Sequence, residues 1–75
     1  MNFRSFRGGV ADNEIARQDF GGFVLRVLWF ANGKHRVERY TYGDWERITP
    51  EMAKEICFCN FKAENWLREN TDLLG

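Results

Sequence analysis

The sequence predicts an α+β fold: a small antiparallel sheet built on one β-hairpin and packed against one or two C-terminal helices, with an extra N-terminal strand as an option. Three observations lead there. Asn32-Gly33 sits at the centre of the β-prone run Phe23 to Tyr42, and Asn-Gly supplies the positive φ angles of a tight hairpin turn. Thr49-Pro50-Glu51 carries a helix-start signal, and apolar residues then recur at spacings of three and four from Met52 to Leu67.

From Met1 to Asp19 the pattern is weakest. Asn2 to Arg7 reads as a short edge strand broken by Gly8-Gly9, and Asp12 or Asn13 is placed to cap a weak helical turn through Ile15 and Arg17. Gly21-Gly22 then punctuates the chain. The first hairpin arm, Phe23 to Phe30, is apolar on both faces except at Arg26, the pattern of a central strand covered on both sides. The second arm, Lys34 to Tyr42, is much more polar and reads as an edge strand, where charges discourage unwanted pairing.

Two registers are open for this hairpin. A two-residue turn at Asn32-Gly33 sets Arg26 opposite Arg39, a like-charge pair that is unfavourable. A three-residue turn, Ala31-Asn32-Gly33 with a glycine bulge, sets Arg26 opposite Glu38 and Val27 opposite Val37. Turn statistics favour the first and charge pairing the second, by a few tenths of a kcal/mol either way.

Beyond the hairpin, Gly43-Asp44-Trp45-Glu46 reads as a turn or a short helical turn capped by Asp44. A helix is expected to begin at Pro50: Thr49 accepts from a free backbone N–H, Pro50 fits the first helical position, and Glu51 complements the positive end of the macrodipole. Met52, Ile56, Cys59, Ala63 and Trp66 or Leu67 form one apolar stripe. Ile56 to Phe61 contains poor helix formers but is read as helix, with a bend or a break near Asn60 as an option in which Asn60 caps a second helix through Asn70; a third strand over those residues is the alternative.

Seventy-five residues make one domain, 1–75, near the lower size at which a single core outweighs chain entropy. The composition is 44% hydrophobic and 16% aromatic, with Trp at positions 29, 45 and 66, more ring surface than so short a chain buries completely. The surplus is read either as a contact with a partner or a second copy, or as an enlarged small core. Eleven basic and eleven acidic residues cancel, which argues against a generic nucleic-acid binder and against an acidic nucleic-acid mimic. Local basic patches remain at Arg4 and Arg7 and between Lys34 and Arg39.

No apolar leader region and no run of about 18 apolar residues occurs, so a soluble protein without membrane association is expected. Cys57 and Cys59 are the only cysteines, at a spacing unsuited to a disulfide framework, which points to a reducing, cytoplasmic setting. Together with the single histidine, His35, they fall short of a structural zinc set, and no metal or cofactor is expected. His35 lies near Glu38, but nothing supplies a nucleophile or oxyanion site. Gly8-Gly9 and Gly21-Gly22 lack the phosphate-loop patterns.

The remaining signal is a mixture of arginine and aromatic residues on the hairpin. Trp29, Arg36, Arg39, Tyr40 and Tyr42, with Trp45 at their margin, are the residue types that dominate binding hot spots. They indicate a small non-enzymatic protein-binding module that inhibits or regulates a larger partner, of the kind phages encode against host enzymes or defence systems. A single-stranded nucleic-acid-binding module using Arg26, Lys34, Arg36 and Arg39 with the rings of Trp29, Tyr40 and Tyr42 is the alternative reading, and a homodimer absorbing the surplus aromatics is a further structural option.

Overall fold

In the computed structural model, which describes residues 13–75, Gly33 resolves the register of the hairpin. Gly33 adopts φ +85°, its N–H donates to the Phe30 carbonyl at 2.8 Å, and the Phe30 N–H donates to the Lys34 carbonyl at 2.9 Å. Three residues therefore lie in the turn, and the glycine takes the left-handed position that a side chain would strain. The strands pair with Arg26 opposite Glu38 and Val27 opposite Val37, so the charge-satisfied register is the one formed.

Four strands follow one another in chain order across an antiparallel sheet: β1 (Glu14–Asp19), β2 (Val24–Trp29), β3 (His35–Tyr40) and β4 (Trp45–Arg47). Two helices follow, α1 (Pro50–Cys59) and α2 (Phe61–Asn70), giving the α+β fold. The strand expected at Asn2 to Arg7, the break at Gly8-Gly9 and the basic pair Arg4 and Arg7 lie outside the described residues.

Three expectations are corrected. Residues from Glu14 onward form a strand instead of a helical turn; Phe20 donates its N–H to the Phe23 carbonyl at 2.9 Å, so Gly21-Gly22 is a two-residue hairpin turn that folds β1 back onto β2. A bulge between Glu14 and Ala16 leaves Ile15 outside the pairing and exposed. Trp45 to Arg47 likewise form a strand where a turn or helical turn was expected, and the Ile48 N–H extends the ladder to the Val37 carbonyl at 3.0 Å. In consequence β3 lies inside the sheet. Its charges are compatible with that position because they are paired, Glu38 with Arg26 and Arg39 with Glu46 across strands and Arg36 with Glu38 along its own.

Alternation sorts the sheet into two faces. Leu25, Val27 and Val37 point towards the helices and join Ile48, Ala53, Ile56, Ala63, Trp66 and Leu67 in one buried cluster. Phe20 and Phe23 stack with ring centroids 5.2 Å apart, and Phe20 meets Trp66 edge-on at 6.2 Å, closing this core at the end of the β1–β2 turn.

The helix signals act as anticipated. Thr49 Oγ1 accepts from the Met52 N–H at 3.2 Å, and Pro50 opens α1. Residues 56–61 are helical up to a single interruption at Asn60, whose extended backbone (φ −150°, ψ 103°) ends α1 and whose Oδ1 accepts from the Ala63 N–H at 3.0 Å to cap α2. That interruption shifts the helical phase. Ile56, Ala63, Trp66 and Leu67 are buried as the stripe requires, but Cys59 turns outward, and Ala53 and Cys57 take positions against the core. Thr49→Ala is expected to lower stability by about 0.5–2 kcal/mol with the fold intact, measured as a shift in denaturation midpoint at unchanged slope.

Candidate partner-binding surface

The face of the sheet turned away from the helices carries Val24, Arg26 and Leu28 of β2, Arg36, Glu38 and Tyr40 of β3 and Trp45 of β4, with Glu14 and Arg17 contributed by β1; Val24 and Leu28 are buried there. Arg26 and Glu38 are both buried, and they sit directly opposite each other. Arg26 donates from Nε and Nη2 to Glu38 Oε1 at 2.9 and 2.7 Å. The other carboxylate oxygen, Oε2, accepts from Arg36 Nε at 2.8 Å. Glu14 Oε1 lies 3.7 Å from Arg26 Nη1, and the same carboxylate accepts from Arg17 Nε and Nη2 at 2.7 and 2.8 Å. Three guanidinium groups and two carboxylates are thus linked across three strands. The hydrogen bond to Glu14, aided by its charge, pushes the Arg17 pKa up against the opposing cost of burial, so this member of the network stays protonated.

Trp45 lies over this network. Its ring centroid is 3.7 Å from the guanidinium carbon of Arg26 and 5.3 Å from that of Arg17, while Tyr40 packs against it at 5.2 Å with the rings tilted by 51°. A guanidinium beneath an indole face is drawn to the ring quadrupole, and desolvation strengthens that attraction to about 2 kcal/mol. Tyr40, Trp45, Arg26, Glu38 and Arg36 therefore form one continuous strip whose side chains are held by their neighbours. Glu38 and Glu14 were not among the residues expected at a binding surface from sequence, and Arg26 was so only in the nucleic-acid alternative. The signal for them was the register itself, since only the bulged turn brings Arg26 to Glu38.

The six residues expected at a binding surface do not all meet. Arg36, Tyr40 and Trp45 share the strip. Arg39 points to the other face, where its Nη2 donates to Glu46 Oε2 at 2.6 Å and its Nε is buried without a hydrogen-bond partner. Trp29 pairs with His35 at the far end of the hairpin and is 45% exposed, outside the core despite its strand's apolar run. Tyr42, in the β3–β4 turn, is 98% exposed and adjoins the Tyr40 end of the strip in sequence.

The candidate chemistry elsewhere follows the geometry. His35 is an exposed strand-end side chain. Cys57 and Cys59 are unpaired and lie on different sides of α1, and burial, reinforced by the Glu64 charge against that of Arg68, pushes the Cys57 thiol pKa up and so suppresses its thiolate. No group of three or more potential metal ligands occurs among the described residues, and none of their helices is long and apolar enough to cross a membrane.

Comparison with protein-family models, with curated proteins and with solved structures found no match, so the strip and its surroundings are interpreted from their own geometry.

Proposed function

We propose that this chain is a small non-enzymatic protein-binding module that inhibits or regulates a larger partner through the Arg36–Tyr40–Trp45 strip and the adjoining Tyr42. The observation that carries the reading is Trp45 held face-on over Arg26 with Tyr40 at its side. Rings and guanidinium groups already fixed in place lose little side-chain entropy on binding, and those residue types supply most interface energy. The ion pairs favour protein over nucleic acid as the ligand. A phosphate approaching Arg26 or Arg36 must compete with Glu38, which already holds both, whereas a protein surface gains from the aromatic faces and the mixed charges together. A cytoplasmic setting belongs to the same reading and is supported by the two free thiols.

The test is affinity purification of tagged protein from its native host, with and without nuclease, followed by binding measurements on the recovered partner. A stoichiometric protein retained after nuclease is expected; Tyr42→Ala should weaken its binding by more than about 1 kcal/mol without shifting the melting temperature, and Arg36→Ala should weaken it as much while lowering the melting temperature, since it removes a hydrogen bond that the buried Glu38 accepts. Recovery of RNA or DNA that disappears on nuclease treatment, or full affinity in both variants, would overturn the assignment.

A further inference from the structure

We propose that residues 1–12 fold back over the outer face of the sheet and form its second covering layer. The observation is a burial that the described residues do not account for. Val24 and Leu28 are 2% and 6% exposed, and Arg26 between them is nearly as buried, yet all three point away from the helices and stand apart from the cluster that Leu25, Val27 and Val37 make with α1 and α2. No helix or second sheet among the described residues is left to lie over them. Side chains on one face of a sheet stand side by side and roughly perpendicular to it, so Glu14, Asp19, Arg36 and Tyr40 wall in Val24 and Leu28 from the flanks without roofing them. Trp45 roofs Arg26. These exposures belong to a single chain, so the cover over the two aliphatic residues belongs to that chain as well.

Residues 1–12 are the part of the chain placed to supply it. The Asn13 carbonyl accepts from the Trp29 N–H at 2.8 Å and Glu14 stands opposite Leu28, so the preceding chain leaves the β1 edge of the sheet level with Leu28. Val24 lies four residues along β2, about 13 Å away, whereas twelve residues extend to about 40 Å. The reach is ample. Met1, Phe3, Phe6 and Val10 bring the apolar surface that Val24 and Leu28 require, and Gly8-Gly9 lets the backbone pass close to the sheet. Arg4 and Arg7 can lay their stems along that surface with their charged ends in water. Such a layer keeps water from the Arg26–Glu38 pair and strengthens it, while the exposed Arg36 and Tyr42 stay open, so the segment frames the partner strip without replacing it. Burial alone carries this assignment, which stands whether or not the strip binds a protein.

Nuclear magnetic resonance on the full chain reads the contact directly. Nuclear Overhauser cross-peaks are expected between the ring protons of Phe3 or Phe6 and the methyl groups of Val24 or Leu28, and an isotope-filtered measurement on mixed labelled and unlabelled protein should show none between copies. The variant Phe3→Ser/Phe6→Ser should lower the melting temperature by at least about 5 °C, because it removes apolar cover from the sheet. A folded wild-type protein without such cross-peaks, cross-peaks found only between copies, or a double-serine variant melting within about 1 °C of wild type would overturn the proposal. None of these outcomes measures partner binding, so failure of this cover and failure of the partner strip are separate results.

Discussion

Glu38→Ala is expected to lower the unfolding free energy by about 3–5 kcal/mol, the largest loss for any single charged residue described. Glu38 is 3% exposed and accepts hydrogen bonds from Arg26 and Arg36, so its removal leaves the Arg26 guanidinium buried under Trp45 without its principal counter-ion. The magnitude comes from that stranded charge and not from the net worth of the pair, which desolvation largely offsets. It follows that the double variant Arg26→Met/Glu38→Leu, which keeps volume and removes both charges, should recover much of the loss. Urea denaturation of the three proteins decides the matter. A Glu38→Ala midpoint close to wild type would mean that the two side chains are not paired in solution.

Trp66→Ala should cost about 3–5 kcal/mol, whereas Phe58→Ala should change stability by no more than about 0.5 kcal/mol. Both are aromatic residues on the C-terminal helices, and only their position separates them. Trp66 is buried in the main cluster with its ring edge against Phe20, so truncation opens a cavity between α2 and the β1–β2 turn. Phe58 touches solvent on almost all its surface. Thermal or urea melts of the two variants measured side by side provide the comparison; similar losses in both would show that the helices are docked on the sheet by a different face.

Local chemistry made the helices and the central hairpin legible in the sequence. Thr49 with Pro50, and Asn60 with its own side chain, satisfy backbone groups a few residues away, so their roles can be read without knowing the fold. The register was legible as a choice between two, and the buried Arg26–Glu38 pair explains the outcome: with both residues lying inside the sheet, a like-charge alternative there is far more costly than at an exposed edge. β1 and β4 were missed because Glu14 to Asp19 and Trp45 to Arg47 have little strand propensity of their own. Each is a strand because a neighbour offers a ladder. Gly21-Gly22 was a usable signal for β1, since a two-residue glycine turn before an apolar strand marks a hairpin as Asn-Gly does.

The candidate surface was only half legible. Residue type pointed to Arg36, Tyr40 and Trp45, but the face each occupies depends on strand parity, and parity depends on a turn length the sequence left open. Arg39 is one residue from Tyr40 and points the opposite way. Trp29 emerges because β2 ends there, beyond the reach of the helices that cover Leu25 and Val27.

The chain-order sheet also governs how quickly the molecule assembles. Every strand pairs with its neighbour in sequence through turns of two to four residues, so the sheet grows by successive short loop closures with small entropy costs. Such local pairing places a protein among the faster-folding mixed α and β topologies. One distant step remains, the seating of Trp66 and Leu67 beside Leu25. That step joins the end of the chain to β2 and is the expected rate-limiting closure: Leu67→Ala should slow folding, as read by stopped-flow refolding.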